Sequence, residues 1–500
     1  MSKQVPPETI QTILSHSRPW KLPTLSLVCQ LWQSLAFPFL YRTIFLDRYW
    51  YATLLVDRIN AEAEDAPLRI THCARNLVID LEAPESLFDK SEGSQLQLNL
   101  RRFSLAVTKL LNIEKLTFGP TWLSADLEVL MPTLNLPKLK CVNFKVHPPS
   151  RGCKNIGRIF GFKNLRHISV EISEPVPGIE PSESAIILLA AMIRASPELE
   201  SLSLYFPVTG LEQDLVERSH VEDLFSQLSK VVFPRLRALK VVSRFMSPTS
   251  PTLQQFLGSH PELSTLAFDS MYESISRAIS VDEIAAIAPA VQHFEGPAYQ
   301  MTPLLESNIS AQIKSLTIYG NLFRDNEFGP MMQDFSRTHL PKLSSLRTLR
   351  VKTKISLKQL THILGAAPEL EELEFSGHIK RMYNASEYSQ NLLQTLGLTP
   401  CLRVLTVVKS DDEIPKVYDP RYMLHFLDRV TTICPQLDTI HHMEHERWVG
   451  TWRLKDLGNN PEVRTYTYRE ADRSLFPSLA LGFVKRQCMP GPWSRLHGIA

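Results

Sequence analysis

The densest group of residues able to do chemistry is His441-His442-Met443-Glu444-His445-Glu446. Imidazoles and carboxylates are ordinary zinc ligands, and His441 and His445 stand four apart, the spacing at which one helix face offers two ligands to a metal. The order is not the His-Glu-x-x-His of a metalloprotease, however, and the group falls where a repeated strand pattern ends. A strand would spread residues four apart along one face at a wide separation. These histidines therefore read as structural, and neither a metal nor a cofactor is expected. The chain contains no Gly-rich phosphate loop, nucleophile elbow or kinase signature. Catalysis is expected to belong to recruited partners, the chain itself being no enzyme.

The seven cysteines, Cys29, Cys73, Cys141, Cys153, Cys401, Cys434 and Cys488, form no close pair of the kind that binds zinc or exchanges disulfides. They read as reduced, mostly buried thiols. With 54 Lys and Arg against 52 Asp and Glu, the net charge offers no electrostatic reason for a nucleic acid or a membrane surface as partner. The longest apolar run, Ala185 to Ile193, is about half of the ~20 residues that a membrane-spanning helix needs. Met1 to Glu8 lacks the basic start, apolar stretch and cleavage site of a secretory signal. A protein partner and a cytoplasmic or nuclear location are expected.

The elements that would position any site come from a repeat. Pro-x-apolar-x-x-apolar begins at Pro137, Pro197, Pro234, Pro261, Pro289, Pro368, Pro400, Pro435 and Pro461, with another apolar residue usually two positions on, as in PELESLSL from Pro197 or PCLRVLTV from Pro400. The spacing recurs without proline at Ile113-Leu116-Phe118, Leu165-Ile168-Val170, Ile313-Leu316-Ile318 and Leu346-Leu349-Val351. The final apolar pair alternates with polar residues, which predicts a short strand with one buried face. Helical spacing precedes many copies, at Ile187 to Ala195, Leu253 to Leu257, Leu357 to Leu364 and Met423 to Ile433. Proline, which disfavours helix before it and cannot donate within a ladder, separates the two. The stretches Glu82 to Gln97, Lys145 to Gly157, Glu171 to Glu183 and Ser410 to Pro420 are predicted loops.

Copies lie roughly 22 to 37 residues apart, overlapping the period of leucine-rich repeats and often exceeding it. Only Ile313-x-x-Leu316-x-Ile318-x-x-Asn321 keeps the asparagine of a regular repeat. The region from Leu68 to Arg469 resembles the divergent leucine-rich repeats of F-box proteins, fungal ones in particular. An ordinary α/β domain with a sheet covered on both faces fits less well, because its strands would be apolar at alternate positions too.

Residues 5 to 45 point the same way. Leu25, Val28, Trp32 and Leu35, widened by Leu27 and Leu31, make a broad apolar helix stripe. Pro6-Pro7-Glu8, then Ile10, Ile13 and Leu14, then Leu22, Leu25-Ser26-Leu27-Val28-Cys29 and Trp32 follow the order of the F-box motif, and Leu40-Tyr41-Arg42-Thr43-Ile44 resembles an extension common in fungal members. Pro23 departs from the family, in which an acidic or polar residue usually opens that helix.

The resemblance implies a fold of the α/β class: a helical F-box over 1–48, a connecting helix over 49–67, an irregular solenoid with a parallel sheet over 68–469, and a cap or tail over 470–500. It also implies docking of Pro6, Pro7, Glu8, Ile10, Ile13, Leu14, Leu22, Leu25, Leu27, Val28 and Trp32, shared with the module's own core, on a Skp-family adaptor. Through that adaptor it would join a cullin-RING ubiquitin ligase. A binding scaffold outside any ligase is the alternative. Polar positions flanking the buried strand pairs face outward on such a sheet, so Tyr205, Lys240, Asp269, Tyr319, Arg350 and Lys352 are candidate target contacts.

Overall fold

The computed structural model describes residues 5–17, 21–46, 49–63, 65–66, 68–80, 102–119, 131–146, 160–172, 183–206, 214–243, 250–269, 280–297, 301–319, 343–354, 356–377, 387–409, 426, 429–444, 447–456 and 464–470. These fall into two compact units. The first runs to Phe206 and includes 233–235; the second runs from Asp214 to Glu470 without those three. The predicted loops Glu82 to Gln97 and Ser410 to Pro420, together with Asn321, Pro461 and the tail beyond Glu470, lie outside the described residues.

In the first unit, helices α1 (Pro7–His16), α2 (Leu22–Ser26) and α3 (Gln30–Leu40) lead into strand β1 (Thr43–Leu46), helix α4 (Tyr49–Asn60), a short helix α5 (Ile70–Cys73) and β2 (Asn76–Ile79). Strands β3 (Lys115–Phe118), β4 (Cys141–Val146), β5 (His167–Ile172) and β6 (Ser201–Phe206) follow, the last behind a helix at Glu183–Arg194. Each strand pairs in parallel with the next. The sheet thus begins at Thr43, ahead of the point where the repeat pattern becomes readable. Register stacks Ile44, Leu77, Leu116, Val142, Ile168 and Leu202 in one row, all buried.

The second unit repeats the scheme with β7 (Ala238–Ser243), β8 (Thr265–Asp269), β9 (His293–Pro297), β10 (Ser315–Tyr319), β11 (Thr348–Lys354), β12 (Glu372–Gly377), β13 (Val404–Lys409) and β14 (Thr439–Glu444). Neighbouring strands are again parallel. Helices at Asp214–Leu228, Pro251–Gly258, Val281–Ile287, Leu357–Ala366 and Glu387–Leu396 precede strands of this sheet. The all-parallel expectation stops at β14: β15 (Arg447–Asp456) and β16 (Arg464–Glu470) pair antiparallel. The sheet thus ends in an antiparallel meander, which needs no crossover helix. Two further differences are small. Lys145–Val146 and Glu171–Ile172 extend β4 and β5 into segments predicted as loop. The helix at Val281–Ile287 was not anticipated, although Ser280 and Glu283 form a capping box that announces it: the Glu283 amide donates to the Ser280 side chain and the Ser280 amide to the Glu283 carboxylate.

Proline does more than separate helix from strand. The Leu199 amide donates to the Ser196 carbonyl at 3.2 Å, and the same bond joins Leu263 to His260, Leu370 to Ala367 and Leu402 to Thr399. The proline between is the second residue of a tight turn, where its preset φ costs nothing. Repeats lacking proline, such as Leu110 to Ile113 and Leu343 to Leu346, make the turn without it.

One carbonyl after each turn then accepts two amides from the following repeat. Arg75 accepts from Glu114 and Lys115, Lys140 from Arg166 and His167, Lys314 from Arg347 and Thr348, and Glu371 from Arg403 and Val404, at 2.7–3.0 Å. The turn places a buried apolar residue, and the carbonyl beside it sets the register of the next strand.

Two outcomes test this packing. A Cβ at Gly296 would stand 2.7 Å from the Phe294 ring and 3.4 Å from the Phe268 carbonyl, so Gly296→Val is expected to cost about 1–3 kcal/mol in urea unfolding. His260 is buried, its Nδ1 donating to the Phe256 carbonyl at 2.6 Å, and burial holds its pKa below the ordinary histidine value. The unfolded chain then binds a proton more readily than the folded one. Stability is complete above about pH 6.5 and falls as pH drops below it. Melting temperature should decline from neutral toward acid pH, and less so in His260→Gln, which keeps a hydrogen-bond donor.

Candidate functional site

The amino-terminal helices are built around a small core. Pro6 precedes α1 with extended geometry and Pro7 occupies its first turn, where a missing N–H is no loss, while Glu8 favours the helix N-terminus electrostatically. Ile10 and Leu14, one turn apart, face inward and meet Leu22, Ala36 and Leu40; Leu25, Trp32, Leu35, Phe39 and Tyr41 pack partly buried around them. Pro23 sits in the first turn of α2, where the helix tolerates it. The core does not end with the three helices, because α3 packs against α5 and Phe37 lies 4.5 Å from the Tyr41 ring just before β1. That continuity supplies burial that about forty residues could not provide alone.

The candidate docking residues therefore divide. Ile10, Leu14 and Leu22 are core, and Leu25 and Trp32 lean on it. Pro6, Pro7 and Glu8 are exposed. Leu27 is 78% exposed and Val28 61%, with Ile13, Val5 and Leu31 open as well. Leu31 and Val5 were not singled out as docking residues, although Leu31 belongs to the same apolar stripe. Covering a Leu, Val or Ile side chain fully is worth about 1.5–3 kcal/mol. Leu27, Val28, Ile13 and Leu31, between 43% and 78% exposed, would each gain roughly half of that, together a substantial part of the about 8 kcal/mol of a micromolar association before the costs of binding.

The outward sheet faces of the two units differ in chemistry. In the first, Asn76 donates to the Thr43 hydroxyl at 2.9 Å and Asn143 to that of Thr117 at 3.5 Å; Tyr205 stands exposed on β6 beside Glu171. In the second, Lys240 Nζ reaches across Ala267 to Glu295 Oε1 at 2.7 Å, and the Tyr319 hydroxyl donates to the same oxygen. Lys352 Nζ lies 5.2 Å from the Tyr319 ring centroid, and Arg350 Nε lies 3.8 Å from Glu374. Lys240 and Tyr319 are thus joined through Glu295, and Lys352 lies over the Tyr319 ring. Arg350 belongs to a separate pair, and Asp269 occupies the last position of β8. Glu295 and Glu374 were missed, although both occupy the alternate outward position of their strands.

His441 lies in β14, in register with Thr406 and Thr451, with His442 next to it in the strand; His445 and Glu446 fall outside the described residues. Among the described residues no group of His, Cys, Asp and Glu is arranged to hold a metal ion, and no helix is long and apolar enough to cross a membrane. The cysteines differ from expectation. Of the five described, only Cys434 is buried, its thiol pushed up to about 11 by desolvation and donating to the Leu396 carbonyl; Cys73, Cys141 and Cys401 are half-buried and Cys29 is exposed. Most of these cysteines occupy turns or outward strand positions and not the inward rows.

Comparison with known proteins agrees with the amino-terminal geometry: the F-box-like family model matches residues 3–47. The chain thus carries an F-box-like domain at its amino end, followed by a region of parallel-sheet repeats. No curated protein matches it in sequence. Among solved structures, a leucine-rich-repeat protein of Leptospira interrogans aligns over 76% of this chain and 93% of its own, at 12% identity and a TM-score of 0.26.

The division of the module into core and surface has a direct check. Leu27→Ser with Val28→Ser should change unfolding free energy by less than about 0.5 kcal/mol, whereas Leu14→Ala should cost about 2–5 kcal/mol, both read from urea or thermal melts.

Proposed function

We propose that this protein is the substrate-recognition subunit of a Skp–cullin–F-box ubiquitin ligase, acting in the cytoplasm or nucleus. The F-box-like helices dock on the Skp-family adaptor, and the repeats hold a target protein. The observation that carries this reading is the exposure of Leu27, Val28, Ile13 and Leu31 on a domain that matches the F-box-like family. Four large apolar side chains exposed on one small domain are the kind of surface that a partner covers.

The chain contributes no chemistry of its own. By holding a target beside the ubiquitin-loaded conjugating enzyme it raises the effective concentration of the target's lysines. Its residues bind and orient; bond formation takes place on the recruited subunits.

The test is binding of the purified chain to a Skp-family adaptor by calorimetry. Native protein is expected to bind in the micromolar range or tighter, and Leu27→Ala with Val28→Ala to weaken binding by about tenfold or more with an unchanged melting temperature. A well-folded native chain that does not bind the adaptor would leave a repeat scaffold outside any ligase.

A further inference from the structure

The leading ends of the strands, where the chain enters the sheet, differ in charge balance between the two units. In the second, the arginines there are paired: Arg237 with Glu262 at 3.7 Å, Arg347 with Glu369 and Glu371, both at 3.5 Å, and Arg403 with Asp438 at 3.9 Å. Lys314 is the exception. In the first, Arg75 pairs with Glu114 at 3.7 Å and Arg166 with Glu200 at 3.3 Å. Between those two pairs stand Lys115, Lys138, Lys140 and Lys163, all exposed. Among the described residues none of the four has a carboxylate within ion-pair reach; Lys138 donates to the Asn112 side chain at 2.7 Å.

These lysines are neighbours by construction. Lys115 opens β3 and is in register with Cys141, and Cys141 with His167. Lys140 adjoins Cys141 and its carbonyl accepts the Arg166 and His167 amides, while Lys163 lies in the connection before β5. Strands about 4.8 Å apart place the group across roughly 10 Å of sheet edge. Four exposed ammonium groups, beside two carboxylates already paired with Arg75 and Arg166, leave this edge with a positive excess that an anionic partner would meet.

We infer that the lysine cluster at the leading ends of β3 to β5 is a docking site for a short acidic protein segment, one presenting several Asp or Glu carboxylates. The inference rests on the reading that the repeats hold a target, and it names the target's chemistry. The cluster is too short to follow a nucleic-acid backbone, and among the described residues it is interleaved with no exposed Phe, Tyr or Trp side chain on which bases could stack. Leu111, exposed next to Asn112, does not make the continuous apolar face that membrane-surface binding uses. An acidic segment of a protein matches both its length and its charge.

The experiment measures fluorescence anisotropy of a fluorescein-labelled decapeptide of alternating Glu and Ser with the full chain, against Gln-Ser and Lys-Ser peptides, a DNA duplex and phosphatidylserine vesicles. The native chain is expected to prefer Glu-Ser over Gln-Ser by about tenfold or more, a preference that salt screens away. Lys115→Gln, Lys138→Gln, Lys140→Gln and Lys163→Gln together should abolish it, and Arg347→Gln in the second unit should leave it intact. Adaptor binding and melting temperature are measured on the same preparations, and the quadruple variant should retain both. No preference for the acidic peptide in a folded native chain, a preference that survives the quadruple change, or tight binding of DNA or vesicles in its place would overturn the inference. Loss of adaptor binding with the peptide preference intact would remove the ligase reading and leave this site standing.

Discussion

The repeat depends on one hydrogen-bonding device, a backbone carbonyl just after each turn that accepts two amides from the repeat that follows. A parallel strand arrives from a crossover and has no hairpin to set its register. Here the carbonyls of Arg42, Arg75, Glu114, Lys140 and Arg166 in the first unit, and of Arg237, Ser264, Gln292, Lys314, Arg347, Glu371 and Arg403 in the second, do so. Each takes the amide of its counterpart one repeat on and the amide after it. A slip by one residue would turn every buried Leu or Val outward. The device uses only backbone, which is why the side chain at that position varies from arginine to glutamate to serine without loss of the fold.

That freedom leaves the leading ends of the strands open to electrostatic choice. The inward rows are filled almost throughout by apolar groups, and the outward rows are partly closed by cross-strand contacts such as Lys240 with Glu295. Pairs at the leading ends are solvent-exposed and individually worth about 0–1 kcal/mol. Their arrangement is therefore weakly bound by stability and can follow whatever surface meets it. The same geometry is charge-balanced around Arg347 and Arg403 and lysine-rich around Lys115 and Lys140.

Much of the architecture was legible because burial on one face leaves a period-two trace, and Leu202-x-Leu204 or Leu349-x-Val351 show it plainly. Partner geometry leaves no such trace. Nothing in the composition of β14 to β16 distinguishes an antiparallel end from one more parallel repeat, since Ile440 and Trp452 would sit equally well in either ladder. The proline turn was half read: its effect on the preceding residue is local, whereas its place in a turn depends on a bond to Leu199 or Leu263 that only the folded chain displays. In the amino-terminal domain the stripe containing Leu25, Leu27, Val28, Leu31 and Trp32 was visible as a whole, but a helix stripe wider than the core beneath it does not say where the core stops. The break between α2 and α3 decides that, turning Leu27 and Val28 out while Leu25 and Trp32 stay in. Charged positions such as Glu295 were passed over because a single acidic residue in a strand is unremarkable until its neighbours two strands away are known.

The residues after α3 do not form a tether. They become β1, and β1 carries the same ladder as the repeats that follow. Helices and first unit are consequently continuous, and position along the sheet is counted in strands, each about 4.8 Å. The sheet works as a graduated scale whose zero is the helical domain. A residue in β3 to β5 is offset from that zero by two to four divisions, about 10–19 Å along the sheet, and inserting or deleting a repeat ahead of it would shift it by one whole division.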